Sequence, residues 1–134
     1  MHPSPSPNEA PASTDPEPAN PLTVHCTQGK DRTGLLVALV LLAAGAPEAA
    51  AAHDYGLSEA GLARSETAAD RAARLAEIRE IGLVPAEDWA RCHPRYVPGL
   101  ARHLEDRYGG VAGYLDDLGL AARERERLVD VLGA

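Results

Sequence analysis

Cys26 and Arg32 stand in the stretch VHCTQGKDRTG, Val24 to Gly34, with five residues between them. The chain's one lysine, Lys30, lies in the same stretch, whereas its other cationic side chains are twelve arginines. A loop of that length opening onto a helix can curl its backbone N–H groups around a tetrahedral oxyanion, and the helix dipole adds positive potential there. Arg32 can offer a planar fork to two oxygens of the same anion. Gly29 and Gly34 allow unusual φ or close approach of the backbone. The same field acts on Cys26. A free thiol has a pKa of about 8.5, and thiols at helix N-termini near cations fall to roughly 3.5–7.5. A thiolate so stabilised can attack phosphorus in line and form a cysteinyl-phosphate that water then cleaves. In this reading Thr27, Gln28, Gly29, Lys30, Asp31, Arg32 and Thr33 form the phosphate cradle. Thr33 hydrogen-bonds the departing thiolate, and His25 and Gly34 orient the loop.

Such a loop needs elements on either side to aim it. Leu22 to His25 is β-prone and predicts a short strand leading in. After Arg32, TGLLVALVLLAAGAP is apolar on every side and stops at Gly45 and Pro47, which predicts a helix buried on most of its surface. The sequence beyond reads helical. Pro47 opens a short helix through about Tyr55. Ser65 to Glu80 carries Ala68, Ala72, Leu75 and Ile78 on one face, with Asp70 and Arg74 as an i,i+4 pair. Gly82 and Pro85 break it, and a short segment surrounds Trp89. Tyr96, Leu100, Leu104 and Tyr108, four apart, predict a helix whose start Pro98 delays or bends. Gly109-Gly110 ends it, VAGYLDDLGL gives a short helix, and Ala121 to Leu132 closes the chain. The expected fold is therefore mainly α: one short strand, the phosphate-binding loop, then five or six helices.

Composition narrows the function classes. At 134 residues the chain is one domain at most. Seven of its eleven prolines fall in residues 1–21, a segment with too few large apolar side chains to offset the entropy of ordering. We read it as a disordered tail, leaving 22–134 as the domain: strand, loop and buried helix over 22–46, helical remainder over 47–134. A net charge of −7, with arginines spread among acids, argues against nucleic-acid binding. The longest apolar run, Gly34 to Ala46, is too short to span a bilayer. No apolar stretch follows Met1, and two cysteines in unlike surroundings are no disulfide framework, so a reduced cytoplasmic setting is expected. No cofactor is implied, and His53, His93 and His103 lack metal-ligand spacing.

HCTQGKDRTG resembles the signature loop of the cysteine-based phosphatases, specifically the bacterial tyrosine-phosphatase family whose loop carries Lys-Asp before the Arg. The likeness continues through the apolar helix, HDYGLSE at His53 to Glu59, and RYGGVAGYLDDLGL from Arg107 to Leu120. It implies Cys26 as nucleophile, Arg32 as the phosphate-binding arginine, and the backbone of Thr27 to Thr33 as the cradle. Lys30 and Asp31 match the pair associated with a broader range, in which phosphoserine, phosphothreonine and phosphoinositides join phosphotyrosine. In that family the loop follows several parallel strands, whereas here a Pro-rich segment precedes it. The expectation is thus the C-terminal half of an α/β phosphatase fold: a truncated chain, or one completed by a partner chain or by self-association over the apolar helix. The upstream loop that would supply an aspartate general acid is then missing.

Asp31, inside the loop, is either the general acid or an anchor that pairs with a neighbouring Arg or caps the helix; Asp54 is a weaker candidate for the acid. Cys92 either traps Cys26 as a reversible disulfide or is simply packed. The tyrosines at 96, 108 and 114 and Trp89 read as packing residues, and Arg123 to Arg127 as a solvated helix face or a partner surface. Two rivals to a phosphatase remain. One is a non-catalytic fragment that binds an oxyanion or a partner chain. The other is a rhodanese-like sulfurtransferase, against which the Arg32-Thr33-Gly34 ending speaks.

Overall fold

The computed structural model describes residues 22–83 and 91–132. The tail over 1–21, Pro85 and Trp89 lie outside the described residues. Six helices follow one another: α1 Asp31–Ala43, α2 Glu48–Ser65, α3 Ala68–Glu80, α4 Tyr96–Tyr108, α5 Val111–Asp117 and α6 Ala122–Leu132.

Local chemistry sets most of the boundaries. α1 ends where Gly45 takes φ +85° and the Ala46 N–H reaches back to the Leu41 carbonyl at 2.9 Å, a 6→1 closure that satisfies an otherwise orphaned carbonyl. Gly109, at φ +73°, does the same for α4, with the Gly110 N–H on the Leu104 carbonyl at 3.0 Å. Thr67 and Asp70 close a reciprocal capping box at the start of α3, satisfying two backbone donors.

Several expectations need correction. Residues 22–26 form no strand. A β-prone run becomes a strand only by pairing its backbone, and no strand occurs among the described residues to pair with it. The helix expected to end near Tyr55 runs on to Ser65. Gly56 and Gly61 lower its propensity by about 0.5–1 kcal/mol each, too little to stop a helix anchored by buried Ala51 and Tyr55. The Asp70–Arg74 pair is replaced by two others. Asp70 caps α3 through Thr67, and Arg74 pairs with Glu66 at 2.9 Å. The hydroxyl and amide of Thr67 hold the Asp70 carboxyl below its usual range. No residue of α3 is buried, so its Ala68, Ala72, Leu75, Ile78 stripe does not form a closed core face. Pro98 does not delay α4, which begins at Tyr96. It occupies the third helical position, where the missing N–H would have had no partner inside the helix.

The core is small. Ala38 of α1, Ala51 and Tyr55 of α2, Cys92 ahead of α4 and Val97 within it pack together, with Leu41, Leu42, Ala52 and Leu100 against them. Helix α2 lies between α1 and α4, and α5 folds onto α4 and α1. Tyr108 and Tyr114 meet edge to face with centroids 5.1 Å apart, and Tyr55 and Tyr96 at 6.2 Å, as their packing role requires. Helix α1 is less enclosed than its all-round apolarity predicts. Only Ala38 is fully buried, while Leu35 and Leu36 are 48% and 46% exposed. Helices α2 and α5 pack against α1 and leave Leu35 and Leu36 half open. In α6, Arg125 turns inward to bond Asp116 and the Leu120 carbonyl, while the neighbouring charged side chains face solvent. No helix among the described residues is long and apolar enough to cross a membrane.

Candidate functional site

Residues 22–26 run in without regular structure, residues 27–30 bend, and α1 begins at Asp31. The Gly34 N–H bonds the Lys30 carbonyl at 2.9 Å, closing the first helical turn directly behind the loop. Gly29 makes the bend possible at φ +66°, a conformation that costs a residue bearing a Cβ roughly 1–2 kcal/mol.

Inside this curl the Cys26 thiol is pulled from 9.0 to about 6. The Thr33 hydroxyl is the largest cause, followed by the Thr33 amide; partial burial opposes them, and the Gln28 and Gly29 amides add to the effect. Thr33 Oγ1 is enclosed and has no conventional hydrogen-bond partner among the described residues. Both observations fit one arrangement: a neutral thiol accepts weakly, and the hydroxyl becomes a full donor once the sulfur is charged. A thiolate near pH 6 therefore costs little at neutral pH. Arg32 Nη2 donates to Thr27 Oγ1 at 3.3 Å, tying the two ends of the loop.

Lys30 goes elsewhere. It is 1% exposed, and its Nζ donates to Asp31 Oδ1 at 2.8 Å and to the Arg91 carbonyl at 3.3 Å. Its backbone belongs to the loop, while its ammonium points into the protein behind it. The Asp31 carboxylate, more than half exposed, thus pairs with Lys30 and not with the arginine expected for it. Gly34 is explained by tertiary contact: a Cβ there would stand 2.7 Å from Cδ2 and Cε2 of Tyr55. Burial pushes the Tyr55 phenol well above its ordinary range, with Cys92 and Asp31 adding to it. Cys92, a free thiol like Cys26, is buried, and desolvation raises it. The two cysteines thus occupy opposite environments.

Cys26 opens into a cleft of about 440 Å³ lined by Thr27, Gln28, Asp31 and Arg32 on one side and by Arg74, Glu77, Ile78 and Ile81 on the other. The far wall is α3 and the residue after it, and the sequence reading missed it. Positions 74, 77, 78 and 81 share a helix face by their i, i+3, i+4, i+7 spacing, so the signal existed. Nothing in the sequence aimed that face at the loop. Ile81 is 72% exposed beside the thiol, an apolar surface at the mouth of a polar site. His25 stands exposed at the loop's entrance. Asp54 is exposed on α2 and takes no part in the cleft wall, unlike Asp31. No cluster of three His, Cys, Asp or Glu suited to a metal occurs among the described residues.

This electrostatic arrangement has a direct readout. Alkylation of Cys26 by iodoacetamide should rise through an inflection near pH 6 and level off above it, because only the thiolate reacts. Thr33→Val should move the inflection upward by removing the largest stabilising contact. Cys92 should remain unlabelled until the protein unfolds. Mass spectrometry of peptides labelled across a pH series would decide; an unshifted profile in Thr33→Val would remove the hydroxyl from this account. The sign for stability is the same. A depressed thiol favours the folded state fully above pH 9.0, and that contribution is lost as pH falls through about 6.

Comparison with known proteins identifies a family and relatives. A model of the tyrosine phosphatase family matches residues 12–133. A tyrosine-protein phosphatase of Nostoc commune is 36% identical over 114 residues, covering 81% of this chain and 38% of the relative. The triple specificity protein phosphatase PtpB of Mycobacterium tuberculosis is 28% identical over 126 residues, covering 84% of this chain and 44% of the relative. The chain thus spans about two fifths of the length of these curated relatives. No solved structure matches it significantly.

Proposed function

This chain belongs to the tyrosine phosphatase family, and we propose that it hydrolyses phosphate monoesters through a phosphorylated Cys26. Phosphotyrosine-type esters are the first substrates to consider. The broader range suggested by the Lys30-Asp31 pair, and by the name of a relative called triple specificity, comes second.

The observation that carries this reading is a thiol brought to about pH 6 by the loop's own donors, at the mouth of a cleft that also holds Arg32. The ester's phosphoryl oxygens lie in the amide curl and on the Arg32 fork, which hold the negative charge as it spreads over them. Cys26 Sγ attacks phosphorus, the P–O bond to the leaving group breaks, and a cysteinyl-phosphate forms. Water then attacks phosphorus, the P–S bond breaks, and the sulfur leaves as a thiolate bonded by the Thr33 hydroxyl. Ile78 and Ile81 give the leaving group an apolar wall, which favours an aryl ring over a small hydrophilic alcohol. Asp31 is the carboxylate of the loop that reaches the cleft, and its contact with Lys30 fits an anchor better than a proton donor.

An aryl ester whose phenolate leaves without protonation is therefore the fairest first substrate. The 134-residue chain is expected to turn over p-nitrophenyl phosphate, with vanadate inhibiting. Vanadate or phosphate binding without turnover would instead identify an oxyanion-binding fragment. Absence of both would remove the loop from any phosphate chemistry.

A further inference from the structure

The buried ammonium of Lys30 is held from a direction that the loop chemistry does not explain. Its Nζ donates to the main-chain carbonyl of Arg91, 61 positions away in the sequence. That peptide is fixed in turn by Glu59 of α2. Glu59 Oε2 accepts the Cys92 N–H at 2.8 Å, and its Oε1 lies 3.6 Å from Arg91 Nε. The side chains of the Glu59–Arg91 ion pair are largely exposed, so little is expected from it alone. The bond to the amide of buried Cys92 is the firm part, because an amide left unpaired inside the protein is costly.

The geometry points to Glu59 as a positioning residue for the phosphate loop, acting through the Arg91–Cys92 peptide on Lys30. The step from Lys30 to Cys26 is short. Lys30 is the last loop residue before α1, and the Gln28 and Gly29 amides that stabilise the Cys26 sulfur immediately precede it. Anchoring Lys30 from behind holds those amides turned toward the sulfur, and α1 carries Thr33 and Arg32 from the same point. Without the Arg91 carbonyl Lys30 keeps its 2.8 Å contact with Asp31 but loses this tie to the far side of the core, and a shift of its side chain would move the curl with it. Glu59 is thereby given a reason to sit in the His53 to Glu59 stretch, although it takes no part in the cleft wall.

This inference rests on the phosphatase reading only for its kinetic consequence. The primary measurement is the pH profile of Cys26 alkylation, which needs no turnover. In Glu59→Ala the inflection is expected to rise from about 6 toward the ordinary thiol value of about 8.5. The value of kcat/KM for p-nitrophenyl phosphate should fall roughly ten- to a hundredfold, as small displacements of a reacting group do. Glu59→Gln keeps an oxygen for the Cys92 N–H and should restore most of the profile. Arg91→Ala removes only the exposed ion pair and should change little. Arg125→Gln, which loosens the α5–α6 junction far from the loop, controls for stability: it should lower the melting temperature without moving the inflection. An unmoved inflection in folded Glu59→Ala would overturn the proposal. So would a shift in Arg125→Gln as large as in Glu59→Ala, because general loosening would then explain both. A shifted inflection in a chain without hydrolysis would uphold the positioning role and sink the phosphatase reading instead.

Discussion

Replacing Cys26 by serine is expected to lower kcat for p-nitrophenyl phosphate by at least about 10⁴-fold, the scale on which loss of a nucleophile is felt. The sulfur is charged above about pH 6, whereas a serine hydroxyl is not ionised at any pH the protein survives. The groups that bond the Cys26 sulfur are donors, the Thr33 hydroxyl and the Thr33, Gln28 and Gly29 amides, and none of them would take a proton from a serine. Oxyanion binding should survive the change. The curl of Thr27 to Thr33 and the Arg32 to Thr27 bond do not depend on sulfur, so the affinity for tungstate should stay within a few-fold of the parent. Kinetics and tungstate titration on the same preparation would check both halves. Undiminished hydrolysis in the serine variant would assign the activity to another group or another protein. Loss of both hydrolysis and tungstate binding would mean that the thiolate is structural to the loop.

The second large effect is at Gly34. An alanine there should improve helix propensity by up to about 1 kcal/mol, and on exposed helix surface that gain would decide the outcome. Here the added methyl would lie 2.7 Å from two ring carbons of Tyr55, well inside contact distance. A pocket of about 200 Å³ that the ring lines together with Gly34 gives it room on one side only. The ring is buried among Ala38, Ala51, Cys92 and Val97. Overpacking of this kind costs about 1–3 kcal/mol, so the net change is expected to be destabilising. If the core holds, α1 must move instead, and Arg32 and Thr33 move with it; kcat/KM would then fall by about 10²-fold per ångström of displacement. Urea denaturation and kinetics on Gly34→Ala would measure the two effects. The double variant Gly34→Ala with Tyr55→Leu should recover part of both losses, because residues in direct contact do not add independently. A Gly34→Ala protein as stable and as active as the parent would dismiss the close approach.

Much of the site was legible because its chemistry is local. The spacing of Cys26 and Arg32, the glycine at position 29 and the apolar helix behind them all act within a dozen residues. The caps at Gly45 and Gly109 and the close of α3 were legible for the same reason, since helix termination is decided by contacts across five or six residues. Tyrosine packing at 96, 108 and 114 was also correctly anticipated. The strand at 22–25 and the all-round burial of α1 were not realised, and both depend on neighbours. A strand exists by pairing, and a face is buried only when another element covers it.

The amino-acid sequence by itself determined that the chain is mainly α and where five of the six helices begin and end to within a few residues, and it singled out Cys26 and Arg32 as the pair on which the proposed chemistry rests. Tertiary structure alone decided three matters that composition and periodicity cannot reach. It turned Lys30 inward onto a carbonyl 61 positions away and set Glu59 on an amide 33 positions away. It placed the ring of Tyr55 against Gly34, making the absence of a side chain there a packing requirement. It brought Arg74, Glu77, Ile78 and Ile81 across from Cys26 as a wall. The physical reason is common to all three. Main-chain caps and side-chain periodicity are settled within a helical turn or two, while the partner of a buried cation or the cover of a helix face depends on how whole helices pack.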